Sequence, residues 1–363
     1  MNTLFLQKFW MSCHSDFTYN ELFDLSIAKP ILAKIELTSN CNQHCRFCFR
    51  RCSPSRQLTD IPVQKWIDAT RSLVSIGVQQ LNLSGGEILL YDELPIFCNK
   101  AKDLGIKKIT INTNGVDIGS KEDLDTIDLI IFSIHGDKDA HDTITGIPGS
   151  YERAIQSLET AIAHGKDVAI NTVFYPEDVT LLNDIYRHFE SFPLVFHSFI
   201  PTIDRESLPH NRKKYEDMIP DFITFLRTIP EERRLLRHGM NTIFNNDPDF
   251  YDKPILLPSC AGGKYKILVD YKGDIYPCSF FQQADYLCGN IFTDNINDIW
   301  KNGKGFERFR KPIRDNELPK RCRTCIKRFH CRGGCYSWRI ISELTHTYDE
   351  DIRCAPGNAY LGG

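Results

Sequence analysis

Cys41-Asn42-Gln43-His44-Cys45-Arg46-Phe47-Cys48 places three cysteines at C-x3-C-x2-C, just after the apolar run Ile31-Leu32-Ala33-Lys34-Ile35-Glu36-Leu37. Thiolate is a soft ligand that selects iron–sulfur clusters, zinc or copper(I). A cubane cluster takes one protein ligand per iron, four in all. Three ligands from one loop leave one iron open, and an open metal position is the arrangement of a catalytic site. The alternative is three buried thiols in a turn, against which stands the clustering of so uncommon a residue.

Outward from this loop the chain alternates short apolar runs with amphipathic helices. The expected strands are Ile31–Leu37, Gln80–Ser84, Lys108–Asn112, Ile127–Ile134, Asp167–Phe174 and Pro193–Ile200. Between them, Val63, Trp66, Ile67, Thr70, Leu73 and Val74 recur at helical spacing before Gly77. Further helices are expected over 93–104, 121–126, 151–164 and 179–190. Strand–helix alternation with short connections predicts an α/β fold, a parallel sheet with right-handed crossovers. Six units fall short of the eight of a closed barrel. Charged helical segments at 215–228 and 231–244 read as a bridge to a C-terminal part.

Cys41, Cys45 and Cys48, with the aromatic Phe47 before the last cysteine, resemble the signature of the radical S-adenosylmethionine (SAM) enzymes. The resemblance implies a partial (β/α)6 TIM-type barrel with the site at the carboxyl ends of its strands. It also implies a [4Fe-4S] cluster whose open iron is chelated by SAM, and reductive cleavage of SAM to a 5′-deoxyadenosyl radical that abstracts hydrogen from a substrate. Gly85-Gly86-Glu87, at the end of the second strand, looks like the family motif that holds the SAM amino group. Glycines there admit close backbone approach. Asn114, Ser133 and Asn171 stand where relatives contact ribose, carboxylate and adenine, although turn capping explains such residues as well. His135 takes a position where many relatives have Asp; it titrates near neutrality or caps a loop. The stretch His141–Tyr151 resembles the loop after the fourth strand, with Thr145 where some relatives have Arg. His135, His141 and Asp142 are unranked candidates for a general base, and no catalytic side chain is assigned.

A second cysteine pattern lies toward the C-terminus. Cys260 is followed after twelve residues by Gly273, then at x4 by Cys278; next come Cys322-x2-Cys325-x5-Cys331-x3-Cys335 and, after eighteen residues, Cys354. Cys322, Cys325, Cys331 and Cys335 alone are compatible with tetrahedral zinc. Together these spacings match the SPASM extension, a small cysteine-rich domain that binds auxiliary iron–sulfur clusters. The resemblance implies one auxiliary cluster on Cys322, Cys325, Cys331 and Cys354, and another on Cys260, Cys278 and Cys335. The further cysteine of eight-cysteine relatives is missing from Ala261–Lys266. One iron is then open, or takes a ligand from elsewhere; Cys288 is a candidate, or a buried free thiol. A hairpin is expected about Lys272-Gly273, with a helix around Ile296, Ile299 and Trp300. Cys52 and Cys98 receive no role.

The chain has 363 residues, 14 cysteines and a formal net charge of −3. That charge implies no general affinity for nucleic acid. No apolar run reaches the ~20 residues of a membrane span, and no signal peptide is read. Cysteines in metal-type spacings fit a reducing cytoplasm better than a disulfide framework. The expected organisation is an N-terminal arm (1–30), a barrel (31–205), a helical bridge (206–254) and the SPASM domain (255–363). The resemblance implies an oxidoreductase acting on a peptide or protein side chain, with auxiliary clusters accepting electrons and a flavodoxin- or ferredoxin-type donor supplying them. The alternative is the same chemistry on a sugar, aminocyclitol or tetrapyrrole. Sulfatase maturation is disfavoured, because Ser279 stands where those enzymes carry a catalytic Asp.

Overall fold

The structure, a computed structural model, describes residues 29–202 apart from 51, 56–57, 116–117 and 119–123, separate positions between 213 and 229, and 261–314. The arm, much of the bridge and the cysteines at 260, 322, 325, 331, 335 and 354 lie outside the described residues.

Six parallel strands follow one another across the sheet: β1 (Leu32–Thr38), β2 (Gln80–Gly85), β3 (Lys108–Thr113), β4 (Leu129–Ser133), β5 (Val168–Phe174) and β6 (Leu194–Pro201). They alternate with α1 (Val63–Ser75), α2 (Leu94–Asp103), α3 (Lys138–Thr145), α4 (Ser150–Ala163) and α5 (Leu182–His188). Successive side chains of a strand point to opposite faces. Ala33, Ile35 and Leu37 of β1 therefore join Leu81, Leu83, Ile109, Ile111, Ile130 and Phe132 in one core beneath the helices. Trp66, Ile67 and Leu73 of α1 supply the opposing surface of that core.

The other face of the same strands differs in chemistry. β1 presents Lys34, Glu36 and Thr38, β2 presents Asn82 and Ser84, and β3 presents Asn112. Asn112 Nδ2 donates to Asn82 Oδ1 at 2.8 Å. Across β4–β6 this face holds a small apolar cluster of Leu129, Ile131, Ala169, Val195 and Phe196. The barrel interior is thus polar on one side and apolar on the other.

The expected hairpin forms as β7 (Lys266–Val269) and β8 (Asp274–Tyr276), followed by the short β9 (Gly289–Asn290). It is not a separate sheet. β7 pairs with β1 in parallel, Leu32 with Lys266 through Ile35 with Val269, and gives one sheet in the order β6-β5-β4-β3-β2-β1-β7-β8-β9. Ile267, Val269, Ile275, Trp300 and Phe306 belong to the same core as the barrel strands. The last two lie on α6 (Ile296–Asn302) and α7 (Lys304–Arg314).

Two local expectations are corrected. The stretch after β4 is not a plain loop: α3 occupies its first part. Asp137 caps that helix by accepting from Ala140 N at 2.9 Å, and Gly146 ends it in the left-handed region at φ 72°. The helix after β5 begins only at Leu182, because Pro176–Leu181 forms a tighter 3₁₀ turn.

Trp66 is fully buried and meets the ring of Phe292 edge-on, with centroids 5.1 Å apart, so it ties the first helix to the segment after β9. Trp66→Ala is expected to cost about 3–5 kcal/mol. Urea unfolding followed by circular dichroism measures this, and an unchanged midpoint would contradict the shared core.

Candidate functional site

The cysteine loop leaves β1 at the carboxyl edge of the sheet and lies across the ends of its neighbours. Gly86 N donates to Thr38 O at 2.9 Å, and Glu87 N donates to Asn40 O at 2.7 Å. A Cβ on Gly85 would stand 2.3 Å from Thr38 O, and one on Gly86 2.2 Å from Asn40 O. Both glycines are therefore required by the approach of β2 to the start of the loop. Asn40 closes the loop's far side: its Nδ2 donates to Leu58 O at 2.9 Å, and its Oδ1 accepts from Leu58 N at 2.7 Å.

The middle of the loop seals the end of α3. A helix leaves its last carbonyls without intrahelical partners. Here Thr145 O accepts from His44 N at 3.1 Å, and Ile144 O from Arg46 N at 3.0 Å. Gly146 leaves room for the His44 imidazole, which would sit 2.2 Å from an added Cβ. Asn114, just after β3, donates from Nδ2 to Asn42 Oδ1 at 2.8 Å. Phe47 packs edge-on against His135 at 4.7 Å, and the Arg46 guanidinium lies 5.1 Å from the Tyr175 ring centroid. One irregular loop thus touches the ends of β2, β3, β4 and β5.

Glu87 is 1% exposed. Its Oε1 accepts from Leu89 N at 2.9 Å and Thr113 Oγ1 at 2.7 Å, and its Oε2 from Asn114 N at 2.6 Å. Burial pushes its pKa up and these three bonds pull it back. The carboxylate joins β2 to β3, so an ammonium ligand would share Oε2. Ser133, the last residue of β4, pairs with Asn171 of β5, and both stand on the interior face near the same edge. The structure brings Cys41, Cys45, Cys48, Gly85, Gly86, Glu87, Asn114, Ser133 and Asn171 to one rim.

The three candidate bases serve as structural groups. His135 Nδ1 accepts from Val173 N at 3.1 Å, and His141 Nδ1 accepts from His135 N at 3.1 Å. Both imidazoles are neutral acceptors; desolvation holds His135 well below 6.5 and His141 at about 4. Asp142 caps the start of α4, accepting from Gly149 N at 2.6 Å, Ser150 Oγ at 2.9 Å and Tyr151 N at 2.9 Å. Thr145 Oγ1 is bonded to Ser150 Oγ at 2.7 Å.

Burial pushes the Cys41 thiol up to about 11 and Cys45 to about 12. Both are neutral thiols at pH 7 in the metal-free protein, and ligation must release their protons. Among the described residues no three His, Cys, Asp or Glu side chains form a site for a single metal ion. A soft, all-thiol donor set, with Cys41 buried and Cys45 and Cys48 half-buried, fits an iron–sulfur cluster. Cys278 follows β8, close to Lys34 on the interior face of β1. Cys288 lies elsewhere: its thiol donates to Tyr286 O at 3.5 Å and packs on the helix-side core beside Gly305. Its packing there accounts for Cys288 as a half-buried free thiol.

Several residues at the site received no role from the sequence. Cys52 is buried with its thiol against Cys48. Glu36, Arg50 and Gln282 form a buried hydrogen-bonded group beside the loop. The visible signal was Lys34 and Glu36, two charges at alternate positions of an otherwise apolar strand. Among the described residues, two cavities flank the loop. One, of about 600 Å³, lies between α3 and α5 and is lined by Asp139, Ile144, Tyr175, Asp178, Leu181 and Asp184. The other, of about 200 Å³, is lined by Ser39, Arg50, Cys52, Asp270, Tyr271 and Tyr276.

Residues 35–187 match the Radical SAM superfamily, and residues 260–326 match SPASM, an iron-sulfur cluster-binding domain. Mycofactocin maturase MftC of Mycobacterium ulcerans is 26% identical over 344 residues, 89% of this chain and 88% of that protein. The AdoMet-dependent heme synthase of Oleidesulfovibrio alaskensis is 22% identical over 338 residues, 87% of this chain and 85% of that protein. Among solved structures, hexahistidine-tagged anSMEcpe with bound AdoMet superposes at TM-score 0.69 with 18% identity and 90% coverage of both chains. Streptococcus suis SuiB bound to precursor peptide SuiA superposes at 0.64 with 21% identity, covering 93% of this chain and 79% of that one. These structural likenesses establish a common fold.

Gly86→Ala forces the Asn40 carbonyl away and with it the start of the loop. Anaerobic reconstitution is expected to give about four fewer irons per chain, one cubane's worth, with near-normal circular dichroism; full iron content would contradict the close-approach argument. A second expectation concerns acid. Between pH 6.5 and about 4 the unfolded chain binds a proton that native His141 refuses, so stability falls as pH drops through that window. His141→Asn keeps an acceptor for His135 N and is expected to remove about 2 kcal/mol of the loss between pH 7 and 5. Urea midpoints at the two pH values measure it, and equal slopes would count against the assignment.

Proposed function

Because this chain belongs to the radical SAM superfamily and carries a SPASM domain, we propose that it oxidatively modifies a peptide or protein side chain. The observation that carries this reading is the pairing of β7 with β1. It sets the open three-cysteine loop and the Cys278 segment on adjacent parts of one sheet, where a substrate lying over the barrel mouth can reach both. Similarity to a mycofactocin maturase over most of both chains supports the peptide.

In this reading Cys41, Cys45 and Cys48 hold the [4Fe-4S] cluster. When bound, cluster and SAM supply a one-electron reductive cleavage that delivers the hydrogen-abstracting 5′-deoxyadenosyl radical. Gly85 and Gly86 hold the loop against β2. Asn114 just after β3, Ser133 at the end of β4 and Asn171 in β5 offer polar side chains to SAM, and Glu87 offers the free capacity of Oε2. Cys260, Cys278 and Cys335, and the set Cys322, Cys325, Cys331 and Cys354, would hold auxiliary clusters, and these would supply an acceptor for the second of the two electrons that the substrate loses. The polar interior of β1–β3 faces the reacting group, and the apolar cluster of β4–β6 takes a neighbouring side chain. A flavodoxin- or ferredoxin-type protein supplies the reducing electron in the cytoplasm.

One observation favours a second reading. The heme synthase relative covers nearly as much of the chain, 87%, as the maturase does, 89%, which supports a tetrapyrrole intermediate as the alternative substrate.

The test is anaerobic. Reconstituted protein with dithionite and SAM is expected to release 5′-deoxyadenosine, and the Cys41/Cys45/Cys48→Ala variant is expected to release none while retaining auxiliary iron. Peptides encoded beside the gene and carboxylate-bearing tetrapyrroles are then offered as substrates. Loss of two hydrogens from a peptide by mass spectrometry supports the first reading; decarboxylation of the tetrapyrrole with unchanged peptides supports the second. Release of 5′-deoxyadenosine by the triple variant would overturn both.

A further inference from the structure

Arg50 stands two residues after Cys48, and Gln282 stands four residues after Cys278. Both side chains converge on Glu36, in the middle of the interior face of β1. Arg50 Nη1 donates to Glu36 Oε2, and at 2.5 Å to Gln282 Oε1. Gln282 Nε2 donates back to Glu36, at 3.1 Å to Oε1 and 3.3 Å to Oε2. The guanidinium also lies 4.7 Å from the ring centroid of Tyr271, in the turn between β7 and β8. The Arg50 side chain is 7% exposed and that of Glu36 is 1%.

Three features make this more than an ordinary ion pair. The two partners of Glu36 come from positions 50 and 282, one beside each metal-binding loop. The triangle is closed, since Arg50 and Gln282 bond each other as well as the carboxylate. The pair is also out of solvent, where one partner without the other leaves an uncompensated charge. A planar guanidinium can bridge two oxygens and stack on a ring together, which an ammonium cannot do.

We propose that Arg50 is a positioning residue that locks the cysteine loop and the Cys278 loop to one buried carboxylate and so fixes the spacing of the two metal-binding loops. The proposal concerns the relation between two loops and needs no substrate. Its bearing on electron transfer rests on the reading of Cys278 as an auxiliary-cluster ligand.

The experiment compares the full-length, reconstituted wild type with Glu36→Gln/Arg50→Met, in which both members of the ion pair are neutralised together, and with Arg50→Lys. Hydrogen exchange read by mass spectrometry is expected to rise roughly tenfold in both 39–50 and 278–284 of the double variant, with β2–β5 unchanged. Arg50→Lys keeps the contact to Glu36 and is expected to loosen chiefly 278–284. Electron paramagnetic resonance of the fully reduced proteins is expected to show an altered magnetic interaction between clusters in the double variant at wild-type iron content. Exchange that rises in one loop only, or across the whole sheet, would make the group a local or global stabiliser and overturn the proposal. Wild-type exchange in both loops would overturn it too, as would loss of iron from the cysteine loop, which would make Arg50 an assembly residue. Cys278→Ala runs beside these: full iron retention there would remove the ligand reading while the exchange result still decides the lock.

Discussion

An irregular loop that must hold a reactive centre has no hydrogen-bond ladder of its own, and its backbone groups still need partners. The cysteine loop meets this constraint by borrowing. Its start is bonded by the amides of Gly86 and Glu87, its middle by the terminal carbonyls of α3, and its far side by the Asn40 side chain. The first two lenders belong to a strand end and a helix end that the core already holds. The loop inherits the rigidity of the sheet, which is what precise placement of reacting atoms demands. Glu87 tightens the frame by joining β2 to β3 behind the loop.

The same dependence extends across the seam between β1 and β7. Pairing of those strands makes the cysteine-rich segment a continuation of the barrel sheet. Trp66 on Phe292 covers the seam from the helix side, and Glu36 with Arg50 and Gln282 closes it from the interior. The two closures differ in physics. The aromatic contact contributes through buried area. The charged group gives little net stability, because desolvation offsets most of the attraction, but breaking it by removing one partner costs about 3–5 kcal/mol. Such a group acts chiefly through geometry: it permits one arrangement of two loops and penalises others.

The interior face also divides the work. Charged and amide side chains of β1–β3 lie under the cysteine loop, whereas Leu129, Ile131 and Phe196 make an apolar floor under β4–β6. In the proposed reading, a substrate over this face presents a polar reacting part beside an apolar one. A peptide segment with an aromatic or aliphatic side chain has that character, and so does a macrocycle that bears carboxylates.

Much of this was legible in the chain. Period-two apolar runs and helical spacing located all six barrel strands, apolar runs on either side of Tyr271–Gly273 located the hairpin, and cysteine spacing marked the loop after β1. The helix over Lys138–Thr145 was missed because eight mostly polar residues give a weak periodic signal, although Asp137 and Gly146 marked its ends. The neutral state of His135 and His141 could not be read, since it depends on burial and on donors from distant residues. By itself the sequence determined which residue types stand at which intervals: thiols at C-x3-C-x2-C, glycines at 85 and 86, alternating strands. Those are local properties of a chain. Only the tertiary structure decided that β7 docks on β1, that Arg50 and Gln282 meet on Glu36, and that Asn114 reaches Asn42. Such contacts join residues up to 246 positions apart, and no local periodicity encodes which distant polar group will share a buried space.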